Sequence, residues 1–281
     1  MKHPRIAAAI IVLLGCALTA EAQGTIEVLE NVAYLENAGY ADDRDKLDLY
    51  LPAGVDGFPM VLVLHGGGLY GGDKEGSEPI GRRLAAEGIG VAVTNYRLWP
   101  ARHPDHIEDA AAAFAWLHAN ASEHGGDPDQ LFVLGHSAGG YLTALLAVDE
   151  RYLGAHGLAL SAIRGAVPVS GFYWLDEVAP VRLDRPVWGT DAAGWADASP
   201  ASHLDSPVVP TLLLVADGDD DWRKAQITRY EAALGEAGLE DVRRVEIGDR
   251  THTGIWSGIG EAGDQATTAI VAFIRRLTSA S

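Results

Sequence analysis

A chain of 281 residues with 48% hydrophobic and 21% charged side chains can bury one large α/β core, and it matches neither a disordered tail nor a membrane protein. The formal net charge of −18 argues against nucleic acids and anionic lipid surfaces as partners, because phosphate groups need basic side chains to neutralise them. The acidity indicates solubility and does not identify a substrate.

The first residues have the pattern of an export signal. A basic start, MKHPR, precedes an apolar run of about fifteen residues, and Ala20 to Ala22 form a small-x-small cleavage site. The run is shorter than the ~20 residues of a spanning helix, and no later stretch is long enough to span. We therefore expect residues 1–22 to be a signal peptide and residues 23–281 to be a single periplasmic or secreted domain. Cys16, the only cysteine, follows LLG and leaves a lipid-anchored protein open as an alternative.

Apolar strands and helices alternate along the remainder of the chain. The strand patterns are, in order, IEVLENVAYLE, KLDLYLP, PMVLVL, IGVAVTNY, QLFVL, GAVPVSG, TLLLVAD and VRRVEI. Helical spacing is found in SEPIGRRLAAEG, in the run from Asp105 with Asp105 and Glu108 as a capping pair, after Ala138, over 223–236 and in DQATTAIVAFIRRL. The alternation predicts a mainly parallel sheet covered by helices on both faces. Residues 172–210, rich in Trp, Pro and Asp, interrupt it and are expected to form a short cap-like excursion over the sheet.

One serine lies on a glycine-rich corner between a strand and a helix. Residues 135–139 read G-x-S-x-G, a pattern that exposes Ser137 on a strained turn above the carboxyl edge of a sheet. The following helix directs its free N–H groups and its dipole toward the same place, which favours a developing anion. Ser137 is the candidate nucleophile. The alternative is a glycine turn for close packing, with Ser137 as a helix N-cap.

A second glycine run, HGGGLYGGDK, follows the PMVLVL strand from His65 to Lys74. Its unshielded backbone N–H groups suit an oxyanion hole, to which the Ala138 N–H adds a donor. An ordinary turn or a phosphate loop is the alternative, but neither phosphate-loop pattern fits these residues. His65 is expected to brace the loop and not to act as a base.

A serine nucleophile needs a base and a carboxylate that orients it. His252 follows the last predicted strand, where the third member of a Ser…Asp…His order should lie. The acid should follow TLLLVAD, where an aspartate cluster offers several candidates: Asp217, Asp219, Asp220 and Asp221. We favour Asp219, early in the loop, with Asp220 as the alternative. The cluster lacks EF-hand spacing, so no metal is expected, and the chemistry requires no cofactor.

The combination of HGGG, NYRLWPARHPDHIEDAAAAFAWL and GGDPDQLFVLGHSAGGYLTALLA with the later Asp and His resembles α/β-hydrolases of the hormone-sensitive-lipase-like and feruloyl-esterase-like carboxylesterases. The resemblance covers residues 59–277. It implies an eight-stranded sheet, the triad Ser137, Asp219 and His252, and an oxyanion hole formed by the N–H groups of three residues: Gly67, Gly68 and Ala138. His136 replaces the acidic residue of many hormone-sensitive-lipase-like members, so the chain leans toward feruloyl-esterase-like and arylformamidase-like relatives.

The expected reaction is hydrolysis of small acyl or aryl esters through an acyl-enzyme. Apolar and aromatic residues near the loops are candidates to line the pocket: Leu69, Tyr70, Tyr141, Trp174, Trp188, Trp222 and Trp256. Each of the four tryptophans could equally be a core residue. An amidase, arylformamidase or peptidase would use the same triad, and a non-catalytic binding protein on this scaffold is a further alternative. The sequence does not predict an oligomeric state.

Overall fold

The computed structural model describes residues 25–36, 39–205 and 209–279. The expected signal peptide over residues 1–22 and the alternative anchor at Cys16 lie outside these ranges. Within them, no helix has the length and apolar character needed to cross a membrane.

Eight strands in the described ranges form one sheet. They are β1 (Ile26–Ala33), β2 (Lys46–Pro52), β3 (Phe58–Leu64), β4 (Gly90–Thr94), β5 (Gly126–His136), β6 (Ile163–Val169), β7 (Thr211–Gly218) and β8 (Val242–Thr251). Their order is β1-β2-β4-β3-β5-β6-β7-β8. Strand β2 is antiparallel to both neighbours, and all pairings from β4 to β8 are parallel. The predicted eight-stranded, mainly parallel sheet of an α/β-hydrolase is confirmed.

The α-helices cover both faces of this sheet. They are α1 (Glu78–Ala86), α2 (Asp105–Asn120), α3 (Ala138–Val148), α4 (Glu150–Gly154), α5 (Leu175–Val178), α6 (Ala192–Ala198), α7 (Asp221–Glu236), α8 (Gly254–Gly258) and α9 (Gln265–Thr278). Alternate residues of β3 enter different core clusters. Leu62 packs in the cluster that includes α2 and α3, whereas Val63 packs in the cluster that includes α1 and α9. This two-sided burial explains the uninterrupted apolar strands of the sequence.

The predicted capping pair at the start of α2 is wrong. Pro104 occupies the N-cap position, and no side chain caps the helix. Asp105 instead accepts a hydrogen bond from Arg97 Nη1 at 2.7 Å. A guanidinium–carboxylate bond is stronger than a bond to a backbone N–H, so the carboxylate turns toward Arg97.

The segment after β6 contains α5 and α6 and short turns between them. It is attached to the loop before α2, where the His103 N–H donates to the carbonyl of Val187 at 2.6 Å. Trp188 is buried against Tyr141 of α3, with ring centroids 5.9 Å apart. The segment is thus fixed to the helix that begins directly after Ser137.

Candidate active site

Ser137 forms the corner between β5 and α3. Its backbone has φ 54° and ψ −110°, a strained conformation for a residue with a side chain. The corner packs closely on β3, because a Cβ on Gly139 would lie 2.1 Å from the Leu64 carbonyl oxygen. The Ser137 side chain does not cap α3. Its hydroxyl is free to interact with a residue across the sheet edge.

That residue is His252, the first residue after β8. Its Nε2 lies 3.0 Å from Ser137 Oγ, and its Nδ1 lies 2.6 Å from Asp219 Oδ1. Both distances are within hydrogen-bond range. About a third of the His252 side chain is exposed (32%), whereas the Asp219 side chain is fully buried (0%). The three residues therefore form a continuous chain from a buried carboxylate to an accessible hydroxyl.

The other carboxylate oxygen of Asp219 also accepts hydrogen bonds. Oδ2 accepts hydrogen bonds from Ser170 Oγ at 2.5 Å and from the Ala216 N–H at 3.0 Å. Burial would raise the pKa of Asp219, but the hydrogen bonds from His252 and Ser170 outweigh burial and hold it below its ordinary value. The carboxylate stays ionised and keeps the proton of neutral His252 on Nδ1. The Nε2 lone pair then faces Ser137.

The other aspartates of the cluster have different contacts. Asp220 is the N-cap residue of α7 and accepts from Trp222 Nε1 at 3.3 Å. Asp217 accepts from the N–H groups of Asp249 and Arg250, each at 2.9 Å. The structure brings Asp219, and not Asp220, to His252.

The glycine loop after β3 lies against the same corner. Gly67 has φ 117°, and a Cβ there would lie 2.0 Å from the Gly71 carbonyl oxygen, so only glycine fits. A Cβ on Gly66 would lie 3.5 Å from that of Ser137, which shows how near the loop is to the serine. Within the described residues, the N–H groups of the three expected oxyanion donors form no hydrogen bond: Gly67, Gly68 and Ala138. Free donors beside the hydroxyl suit an oxyanion hole.

His65 braces this loop. It is buried, its Nδ1 donates to the Gly66 carbonyl at 2.7 Å, and its ring stacks on Tyr96 at 4.3 Å. Burial lowers the pKa of His65 to about 4, so the ring is neutral near pH 7.

A buried ion pair fixes the far end of the glycine loop. Lys74 Nζ lies 2.8 Å from both carboxylate oxygens of Asp48 on β2, and both side chains are 5% exposed. The Lys74 N–H also donates to Asn95 Oδ1 at 2.8 Å. Sequence reasoning missed these residues, because their partners are distant in the chain.

His136 has a role that sequence reasoning did not assign. Its buried Nε2 donates to the His252 carbonyl oxygen at 2.7 Å, and its ring stacks on Trp256 at 5.4 Å. Burial and the neighbouring His252 lower the pKa of His136 to about 3, which makes it a neutral donor. It connects the β5 end of the corner to the loop that carries the base. Its position beside Ser137 in the pattern was the available signal.

Two further residues near the acid were missed. Ser170, directly after β6, is fully buried and has φ 48°. Arg223 of α7 donates to the Ser170 carbonyl at 2.6 Å, and its Nε lies 3.7 Å from Asp219 Oδ1. Both follow strands at the carboxyl edge, the place where functional side chains of a parallel sheet gather.

Of the residues expected to line the pocket, four are exposed or half-buried and three are buried in the core. Trp222 and Tyr70 are exposed, and Trp256 is half-buried beside His136. Trp174 is also half-buried, but its ring packs against α7, 3.6 Å from the Arg229 guanidinium carbon.

Three residues expected to line the pocket are core residues instead: Leu69, Tyr141 and Trp188. Their exposed fractions are 0%, 1% and 3%. Tyr141 stacks on Phe172 at 5.1 Å, and Trp188 meets both rings edge-on. Tyr141 and Trp188 pack behind Ser137, since the Tyr141 N–H donates to the Ser137 carbonyl at 2.9 Å. Among the described residues, no three His, Cys, Asp or Glu side chains are grouped so that they could hold a metal ion.

Comparisons with known proteins agree with this fold. The model of the prolyl oligopeptidase family matches residues 103–281, more than half of the chain. The chain belongs to the prolyl oligopeptidase family. The BD-FAE family model matches residues 47–156, so the two matches together cover the sheet from β2 to β8.

Among curated proteins, the chain is 33% identical over 177 residues to the probable carboxylic ester hydrolase LipM of Mycobacterium tuberculosis. It is 34% identical over 239 residues to the isoprenylcysteine alpha-carbonyl methylesterase ICME of Arabidopsis thaliana. These alignments cover 57% and 77% of this chain but 41% and 56% of the two relatives, so the chain spans about half of their length. Both relatives are longer than the region that aligns with this chain.

A solved structure shows the same fold. Esterase B of Lactobacillus rhamnosis, inhibited by a tributyrin phosphonate, superposes with a TM-score of 0.77 at 19% identity, over 91% of this chain and 87% of that chain. The sequence resemblance to α/β-hydrolase carboxylesterases is confirmed.

Proposed function

We propose that this protein is a serine carboxylesterase that hydrolyses small acyl or aryl esters through an acyl-enzyme. The observation that carries the proposal is the connected set Ser137–His252–Asp219, with distances of 3.0 and 2.6 Å, beside free backbone donors. The similarity to proteins named as ester hydrolases supports the same reaction class.

In the first step, Ser137 Oγ attacks the ester carbonyl while His252 Nε2 takes its proton. The carbonyl oxygen becomes an oxyanion that the N–H groups of Gly67, Gly68 and Ala138 stabilise. Loss of one such donor typically costs about 10² to 10³ in rate. His252 then protonates the leaving alcohol, and the acyl group stays on Ser137.

In the second step, His252 removes a proton from a water molecule, which attacks the acyl-enzyme. The tetrahedral intermediate collapses, the acid is released and Ser137 regains its proton. Asp219 keeps the imidazole in the required tautomer and stabilises its charged form in both steps.

The preference for small acyl groups rests on the packing behind the serine. Tyr141, Phe172 and Trp188 fill the space one helical turn beyond Ser137 with mutually packed rings. A long chain would have to displace these rings, and close-packed cores resist such displacement. We expect turnover to fall from p-nitrophenyl acetate to butyrate to octanoate.

The test is to measure hydrolysis of these three esters by the purified protein and by Ser137→Ala. The proposal predicts turnover that is lost in the variant and decreases with chain length. Equal rates for the two proteins would contradict the esterase function, and faster turnover of octanoate would contradict the small pocket. Ligand binding without any turnover would favour the non-catalytic alternative.

A peptidase or amidase is the second candidate, favoured by the match to the prolyl oligopeptidase family. The same groups would act, with His252 protonating a leaving amine. The kcat/KM values of an anilide and of the phenyl ester with the same acyl group distinguish the two. A higher value for the anilide would select the amidase.

We also propose that the protein is exported, with residues 1–22 as the signal. The support is the MKHPR start, the apolar run and the Ala20–Ala22 site. The N-terminal mass of the exported protein tests this: a start at Gln23 supports cleavage, whereas an acylated Cys16 selects the lipid anchor.

A further inference from the structure

Two arginines of the segment after β6 meet at one tyrosine of the glycine loop. Arg182 Nη1 donates to the Tyr70 hydroxyl, and the Arg185 guanidinium carbon lies 4.8 Å from the centre of the Tyr70 ring. A Cβ on Gly68 would lie 2.6 Å from this ring, so Tyr70 covers one of the oxyanion-hole glycines. The two cations therefore lie at the edge of the candidate active site.

The positive charge of Arg182 also acts on the acid side of the site. Burial is the main reason why the pKa of Arg223 is lowered, and the positive charge of Arg182 contributes to the shift. Arg223 in turn contacts the Ser170 carbonyl and lies 3.7 Å from Asp219. Arg182 thus contacts the oxyanion loop through Tyr70, and its charge acts on Arg223 beside the triad acid.

These two positive charges lack a carboxylate partner. All three lysines and most arginines of the described chain have a carboxylate within 4 Å, but Arg182 and Arg185 have none there. Asp184 lies between them in sequence and pairs with neither. In a chain with a net charge of −18, two cations without a carboxylate partner at the edge of the candidate active site are unusual. Their contacts with the Tyr70 ring and hydroxyl hold them without neutralising them.

Guanidinium groups bind carboxylates through two parallel hydrogen bonds, which gives both affinity and orientation. We propose that Arg182 and Arg185 form an anion-binding subsite, and that the preferred substrates are esters that carry a carboxylate on their alcohol or acyl part. The inference rests on the proposed esterase function and assigns a substrate class to it.

The test compares esters that differ only in charge. For an anion on the alcohol part, the pair is 4-acetoxybenzoate and 4-acetoxybenzamide; for an anion on the acyl part, it is monomethyl terephthalate and methyl 4-carbamoylbenzoate. The readout is the charge selectivity, the kcat/KM of the anionic ester divided by that of its neutral partner. The wild-type protein is expected to prefer the anion in one pair, and that pair identifies the part of the substrate that carries the carboxylate.

Arg182→Gln and Arg185→Gln should each lower this selectivity at least about 10-fold, since each removes a charged hydrogen-bond donor. Arg182→Lys should keep part of it, because the charge remains while the planar fork is lost. Arg243→Gln is the matched control: it removes an exposed arginine at the start of β8, the opposite edge of the sheet, and should leave the selectivity unchanged. Raising the salt concentration should reduce the wild-type selectivity by screening.

A wild-type selectivity near one in both pairs, or one unaffected by the Arg182 and Arg185 substitutions, would overturn the proposal while the esterase function stands. Ligand binding to the Ser137→Ala variant tests the anion subsite independently of the esterase function. This variant should bind 4-acetamidobenzoate more tightly than 4-acetamidobenzamide, and Arg182→Gln in the same background should remove the difference. Equal binding of the two compounds would overturn the anion subsite even if no tested ester were hydrolysed.

Discussion

The contacts of Asp219 predict the result of replacing it by asparagine. The Ala216 N–H, 3.0 Å from Oδ2, can only donate, so the amide oxygen of the new side chain has to remain on that side. The amide nitrogen then faces His252 Nδ1 in place of the oxygen now 2.6 Å away. Two N–H donors cannot share this contact, and neutral His252 must therefore move its proton to Nε2.

The new tautomer directs an N–H at Ser137 Oγ, where the reaction needs a lone pair. A tautomer error of this kind costs about 10⁴-fold in kcat, or about 5.5 kcal/mol of transition-state stabilisation. We expect KM to change little, because Asp219 is fully buried and does not face the substrate. The assay is steady-state hydrolysis of p-nitrophenyl acetate by Asp219→Asn.

Asp220→Asn is the matched control, with the same chemical change one residue later. Asp220 contacts Trp222 and is the N-cap residue of α7, so kcat should stay within about 3-fold of wild type, as for a surface substitution. A wild-type kcat retained to a tenth or more in Asp219→Asn, or a larger loss in Asp220→Asn, would contradict the role of Asp219.

Three further perturbations test other parts of the structure. His136→Ala removes the hydrogen bond to the His252 carbonyl and should lower kcat roughly 10-fold to 100-fold with little change in KM. The assay is hydrolysis of p-nitrophenyl acetate, and an unchanged kcat would contradict the positioning role of His136. Lys74→Met leaves a buried carboxylate unpaired and should destabilise the fold by about 3–5 kcal/mol in urea unfolding, whereas a loss below about 1 kcal/mol would show that the ion pair is not structural. Burial lowers the pKa values of His65, His106 and His136 to about 4, 4 and 3, below the 6.5 of the unfolded chain. The unfolded chain therefore binds more protons than the folded chain as the pH falls from 7 to 5.5, and stability should fall by roughly 1 kcal/mol for each histidine. Calorimetry at pH 7 and at pH 5.5 would detect this loss, and a constant Tm would contradict it.

The sequence predicted the sheet well because its central strands are buried on both faces. A strand such as β3, with apolar residues at every position, leaves a signal that does not depend on its partners. The start of α2 was predicted less well. The local pattern at Asp105 resembles a capping box, but Arg97, eight residues earlier, attracts its carboxylate more strongly.

The residues of the site were likewise predictable only where their position in a strand or in the chain order restricts them. Ser137 and His252 were predictable because each directly follows a strand at the carboxyl edge, and chain order restricts the acid to the loop after β7. The choice between Asp219 and Asp220 depends on the backbone path of that loop. The supporting contacts of Ser170 and His136 depend on pairings that span 49 and 116 residues, which local patterns do not encode.

The pocket was the least predictable part. Aromatic residues near the site have the same sequence signature whether they line a cavity or fill a core. Tyr141 and Trp188 proved to be core residues because the segment after β6 folds back onto α3. That return depends on contacts such as His103 with Val187, which bring distant parts of the chain together.

The most direct test of the role of Ser137 starts by mixing the protein with p-nitrophenyl butyrate and stopping the reaction with acid. Peptide mass spectrometry then locates the acyl group. We expect a butyryl group on Ser137 in the wild-type protein, and no acyl-enzyme and no turnover above background in Ser137→Ala. An acyl group on another residue, or undiminished turnover in Ser137→Ala, would contradict it.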